Sequence, residues 1–126
     1  MKDRVFLCGI KDYFNDIKEL IDKLEKEGYS VTSSINAPFK EIEEPQQVIA
    51  NKKFIEEGIL NAHYVLIFNK NQNIDLMTAM NFQYALIHKK AIRLLFKTDK
   101  IELKAYCESP YYNVGVERRW QKSRKE

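Results

Sequence analysis

Four short apolar runs, spaced along the first three quarters of the chain, restrict the fold more than any other feature of the sequence. They are Val5 to Ile10, Tyr29 to Ile35, Tyr64 to Phe68 and Ala91 to Phe96. The first and third are apolar at almost every position, as strands buried on both faces of a parallel sheet must be. The second is rich in β-branched residues and stops at Asn36-Ala37-Pro38, so it reads as a strand entering a loop. Between the runs the period changes from two to 3.6. Phe14, Ile17, Leu20, Ile21 and Leu24 mark a helix that Asp12 or Asn15 can cap and that Gly28 terminates. A long acidic loop follows the second run. Pro45 then opens a second helix, whose Val48, Ile55, Ile59 and Ala62 form one apolar stripe. Asp75 can cap a third helix that runs through His88.

Strand, helix, strand, helix, strand, helix, strand predicts right-handed crossovers in a parallel sheet. The expected fold class is therefore α/β: a three-layer, flavodoxin- or Rossmann-like open sheet of four to five strands with helices on both faces. Residues 1–108 are assigned to this domain and 109–126 to a C-terminal extension, with 101–107 read as a short helix or an edge strand. That extension carries the charge imbalance. Val116 to Glu126 holds five Lys/Arg against two Glu, which is the whole of the net charge of +3. Its Arg118, Arg119, Lys122, Arg124 and Lys125 read as a solvated terminus, and no nucleic-acid partner is expected.

No run approaches the eighteen or so apolar residues a membrane span requires. Cys8 and Cys107 show neither a disulfide framework nor metal-ligand spacing. These features point to a cytoplasmic protein with no metal and no cofactor. Gly9 stands alone, so neither a Walker loop nor a dinucleotide fingerprint is present.

In open α/β sheets ligands gather outside the carboxyl ends of the strands. That rule selects Cys8 to Tyr13, Asn36 to Phe39, Asn69 to Thr78 and Phe96 to Thr98. The candidate ligand-binding residues are Cys8, Gly9, Ile10, Tyr13, Asn36, Asn69, Asp75, Thr78 and Asn81. Within that set Cys8 lies inside a strand, where a cysteine is more often a small core residue than a nucleophile. The third helix, from Asp75 to Ala85, is apolar on nearly every side, so it must be covered by the fold or by a partner.

Asp75, Thr78, Tyr84 and Ala85, followed by Lys89-Lys90 and the run Ala91 to Leu95, form a pattern that resembles the nucleoside 2-deoxyribosyltransferase family and its nucleotide N-glycosidase relatives. Val5-Phe-Leu-Cys-Gly9 resembles the family's opening strand, which ends in small residues near the bound sugar. The resemblance implies a nucleoside, nucleotide or related ribosyl ligand and a homo-oligomer in which a neighbour completes the pocket, with Tyr111, Tyr112 and the Trp120 tail as candidate contributors. It also implies a nucleophilic Glu where this chain has Asn81, and an amide cannot form the same glycosyl ester. His63 occupies the position of the family's Asp before the third strand, and it reads here as a strand-edge residue. The second family acid falls near Ile55, beside Glu56 and Glu57.

Three functions follow. The first is a ligand-binding protein, degenerate for glycosyl transfer, acting as a sensor or sequestering protein. The second is an active N-glycosidase or deoxyribosyltransferase, with Asp75 and Glu56 (or Glu57) as catalytic carboxylates. The third is an interaction module of the Toll/interleukin-receptor type without a small-molecule ligand.

Overall fold

The computed structural model describes residues 3–72 and 74–96. The expected segment 101–107, Thr98, and the aromatic and basic residues of the extension lie outside the described residues. Four strands form one parallel sheet in the order β2-β1-β3-β4. They are β1 (Arg4–Cys8), β2 (Ser30–Ser33), β3 (Tyr64–Ile67) and β4 (Ala91–Leu94). Val5 pairs with Val31 on one side and Tyr64 on the other, and Ile67 pairs with Leu94. Each strand is shorter than its apolar run. Residues after the pairing ends turn into the loops, although Ile10, Phe68 and Leu95 stay buried.

Three helices complete the layers: α1 (Phe14–Lys26), α2 (Pro45–Asn61) and α3 (Leu76–Ile87). Strand alternation divides the core. Val5, Leu7, Leu66, Phe68 and Leu95 meet Ile17, Leu20 and Leu24 of α1. Phe6, Cys8, Val65, Ile67, Ile92 and Leu94 meet α2 and α3 on the opposite face. The three-layer α/β architecture is the one the sequence predicts.

Two glycines set helix-to-sheet distance, each by the absence of a side chain. A Cβ on Gly58 of α2 would lie 2.4 Å from the buried Phe6 ring, so α2 can rest on β1 only with glycine there. A Cβ on Gly9 would meet Ile17 at 2.5 Å and Phe68 at 3.1 Å.

The start of α1 differs from expectation. Neither Asp12 nor Asn15 caps it: Lys11–Tyr13 form a 3₁₀ turn that runs directly into the helix, and the residue at the N-cap position, Tyr13, makes no side-chain cap bond. The turn supplies the initial bonds that a capping side chain would otherwise provide, with Tyr13 N–H donating to the Ile10 carbonyl at 3.0 Å. Asp75 does cap α3, its Oδ1 accepting from the Thr78 N–H at 2.8 Å.

Candidate ligand site at the sheet switch point

From β1 the chain crosses by α1 to β2 on one side, then returns by α2 to β3 on the other. The reversal leaves a crevice at the carboxyl ends of β1 and β3, where an open α/β sheet presents its ligand site. Its walls are the loops after Cys8, Ser33 and Ile67 and the amino end of α3.

The floor is held by short polar links. Ser33 is fully buried and its Oγ donates to the Leu7 carbonyl at 2.7 Å. The Ser34 hydroxyl is within hydrogen-bond distance of both Gly9 N–H (3.2 Å) and the Gly9 carbonyl (3.4 Å). Asn36 is exposed, and its Oδ1 accepts from the Ser33 N–H at 3.2 Å, closing a capping box. The two serines were not legible as site residues, because serine at a strand end is common in any loop.

The β3 side is closed by Asn69. Its Nδ2 donates to the Phe96 carbonyl at 2.8 Å, and its Oδ1 accepts from the Phe96 N–H at 2.9 Å. The side chain is 1% exposed, so both faces of the amide are engaged in joining the exits of β3 and β4. Next to it, the Phe68 ring packs at a tilt of 46° against Tyr13 at 5.7 Å and meets Phe96 edge-on at 5.3 Å. Lys70 stands over the Tyr13 ring at 5.9 Å and pairs with Asp16 at 2.8 Å. Lys11 reaches the Lys40 carbonyl, tying the acidic loop across the crevice, and Asn51 holds Phe39 through two backbone hydrogen bonds of 2.9 and 2.8 Å.

Several predicted side chains are withdrawn from solvent. Cys8 is fully buried in the α2/α3 core; burial pushes its thiol far above the ordinary range, and its carbonyl accepts from the Phe68 N–H at 2.8 Å. Its side chain cannot meet a ligand. Ile10 and Thr78 are also buried. Gly9, Tyr13 and Asn81 are half-buried, while Asn36 and Asp75 are exposed. These five keep solvent-accessible surface.

The two predicted carboxylates sit on different elements, Asp75 at the N-cap of α3 and Glu56 on α2. Burial, then the Glu56 carboxylate, raises the Tyr84 phenol on α3. Glu57 is exposed on α2. His63 lies at the opposite end of the sheet, its Nδ1 accepting from the Arg4 N–H at 2.8 Å, a strand-edge role. Among the described residues no three His, Cys, Asp or Glu side chains cluster as a metal site requires, and no helix is long and apolar enough to cross a membrane.

The fold is shared with a solved CMP N-glycosidase. That structure, BcmB from Clostridium botulinum, matches with a TM-score of 0.63 over 98% of this chain and 98% of that chain, at 20% sequence identity. A conserved protein from Enterococcus faecalis V583 matches with a TM-score of 0.58 over 94% of this chain and 87% of that chain, at 10% identity. Neither a protein-family model nor a curated protein matches the sequence. At these identities BcmB and the E. faecalis protein establish the architecture, and the chemistry must be argued from the residues present here.

Proposed function

We propose that the protein binds a nucleoside or nucleotide at the β1/β3 switch point, is degenerate for glycosyl transfer, and acts as a sensor or sequestering protein. The observation that carries the reading is the full-length likeness to a CMP N-glycosidase, combined with an α3 that has no carboxylate from Leu76 to Ile87. Cleavage of an N-glycosidic bond by double displacement needs a carboxylate at the anomeric carbon, and Asn81 offers an amide. The open residues suit recognition: Asp75 can accept from ribose hydroxyls, Asn81 can donate and accept, and the Tyr13 ring offers an edge for a base.

A thermal-shift panel of nucleosides and nucleotides, beginning with CMP, tests this. The expected result is stabilisation that grows with ligand concentration and no free base on chromatography of the same mixtures. Release of base would overturn the degenerate reading in favour of hydrolysis. Absence of any shift would overturn ligand binding and favour an interaction module. The Asn81→Glu variant is expected to bind the same ligand and to gain base release, as only the nucleophile is restored.

A further inference from the structure

The two edge strands of the described sheet are buried to different degrees. In β2, Ser30 and Thr32 are exposed and Val31 is half-buried, as on an edge that meets water. In β4, Ile92, Arg93 and Leu94 are buried as deeply as the central β1, and Leu95 beyond them is buried too. Arg93 is 1% exposed. It pairs in register with Leu66 and stands between Ile92 and Leu94, which face α2 and α3. Strand alternation therefore turns Arg93 to the α1 side of the sheet, the side of Leu66 and Leu95. Among the described residues α1 is the only α-helix on that side, and it joins β1 to β2 and packs against β2, at the opposite edge. The cover over β4 has to come from elsewhere in the chain, and residues 97–126 are the stretch long enough to supply it. A buried guanidinium stays charged and must be met by a carboxylate or by several carbonyl oxygens.

We infer that residues 101–107 dock against β4 on the α1 side of the sheet and that the Glu102 carboxylate pairs with the Arg93 guanidinium. Chain length permits it. Arg93 stands three residues back from Phe96, about 10 Å along the strand, and the six steps from Phe96 to Glu102 span at most about 20 Å. A turn through Lys97 to Lys100 therefore brings the acid back over Arg93. Sequence surroundings select Glu102 among the acids available. It stands between two large apolar residues, Ile101 and Leu103, as an acid buried with its partner must. Asp99 lies between Thr98 and Lys100, Glu108 precedes Ser109-Pro110, and Glu117 and Glu126 belong to the basic tail. Ile101, Leu103 and Tyr106 supply the apolar surface that Leu66 and Leu95 require. The pair then fixes the route of the chain beyond the sheet, and the basic tail departs from the α1 side. The inference concerns the β4 edge and stands apart from the ligand reading.

Nuclear magnetic resonance on the isotope-labelled full chain tests the contact, with Overhauser cross-peaks expected between the side-chain protons of Arg93 and Glu102. A double-mutant cycle read by urea denaturation tests the pairing. Arg93→Met and Glu102→Leu are each expected to lower the unfolding midpoint by about 1 to 2 M, since each leaves a buried charge without its partner. The double variant is expected to recover most of that loss, because two apolar side chains then replace the pair. Losses that add in the double variant would assign the guanidinium to other acceptors and overturn the inference. A Glu102→Leu midpoint equal to that of the unaltered chain, or absence of the Arg93–Glu102 cross-peaks, would overturn it as well. The cross-peaks are read on the unaltered chain, so they decide the matter even if Arg93→Met does not fold.

Discussion

Helices α1 and α3 are both crossover helices on a parallel sheet, and they differ in what their outer faces are built to meet. On α1, Ile17, Leu20 and Leu24 are buried while Lys18, Glu19, Asp22 and Glu25 face solvent. On α3 the inner face is as well buried, but the outer one is apolar. The ends differ as well. α1 begins from a 3₁₀ turn with no side-chain cap and finishes at Gly28, whose φ of 101° lies in the left-handed region. α3 begins at the Asp75 cap and finishes at Lys89, which takes a φ of 55° without being a glycine. One helix turns a charged face outward, the other an apolar one. The packing of the inner face is common to both, so the outer face is the part of the sequence that carries information beyond folding.

The widest separation between the helices should appear in stability. Leu20→Ala on α1 removes a fully buried side chain and is expected to cost about 3 kcal/mol by urea denaturation. Leu76→Ala on α3 should lower fold stability by less than about 0.5 kcal/mol, because the side chain is 76% exposed. A Leu76 variant as destabilised as the Leu20 one would end the contrast. At the carboxyl ends, Lys89→Gly is expected to stabilise by about 1 kcal/mol, by relieving a left-handed backbone, and Gly28→Ala to destabilise by a similar amount. At the amino ends, Asp75→Ala should cost about 1 kcal/mol, whereas Asp12→Ala and Asn15→Ala should be near neutral because neither side chain caps α1.

The smallest effect is electrostatic. Tyr84 is raised above the ordinary tyrosine range by burial first and Glu56 second. A folded-state value above the unfolded one means that the native state holds the proton more tightly. The associated stability is complete below the unfolded value, near 10, and is lost as pH rises through the folded value. Tyr84→Phe should therefore flatten the alkaline limb of the stability profile. Glu56→Gln should move the phenol's ultraviolet titration partway toward the ordinary value.

Much of the architecture was legible because apolar periodicity states it directly. The runs around Val5 and Tyr64 suit doubly buried strands, and Gly28 and Pro45 mark helix boundaries by backbone geometry. For the candidate site, the sequence names residues but not their surroundings. Asn69 and Thr78 were identified from their position at strand and helix ends, yet position does not reveal that Asn69 is engaged by Phe96 or that Thr78 lies buried below Asp75. The pairing of Asp75 with Glu56 was not legible for a related reason: spacing along a chain does not state how far down a helix a neighbouring helix presents its residues. Gly58 gave no signal at all, since its necessity depends on the Phe6 ring of a distant strand.

The Asn69 clamp on Phe96 bears on how the crevice receives whatever enters it. Because both ends of the amide are already bonded, the wall between β3 and β4 is assembled before any guest arrives, and entry need not freeze it. Shape selection at that wall is then by exclusion: a guest that does not fit cannot recruit the amide without parting two strands. Under the proposed function, discrimination on this side would be rigid, and the exposed Asp75 side of the mouth would be the adaptable one.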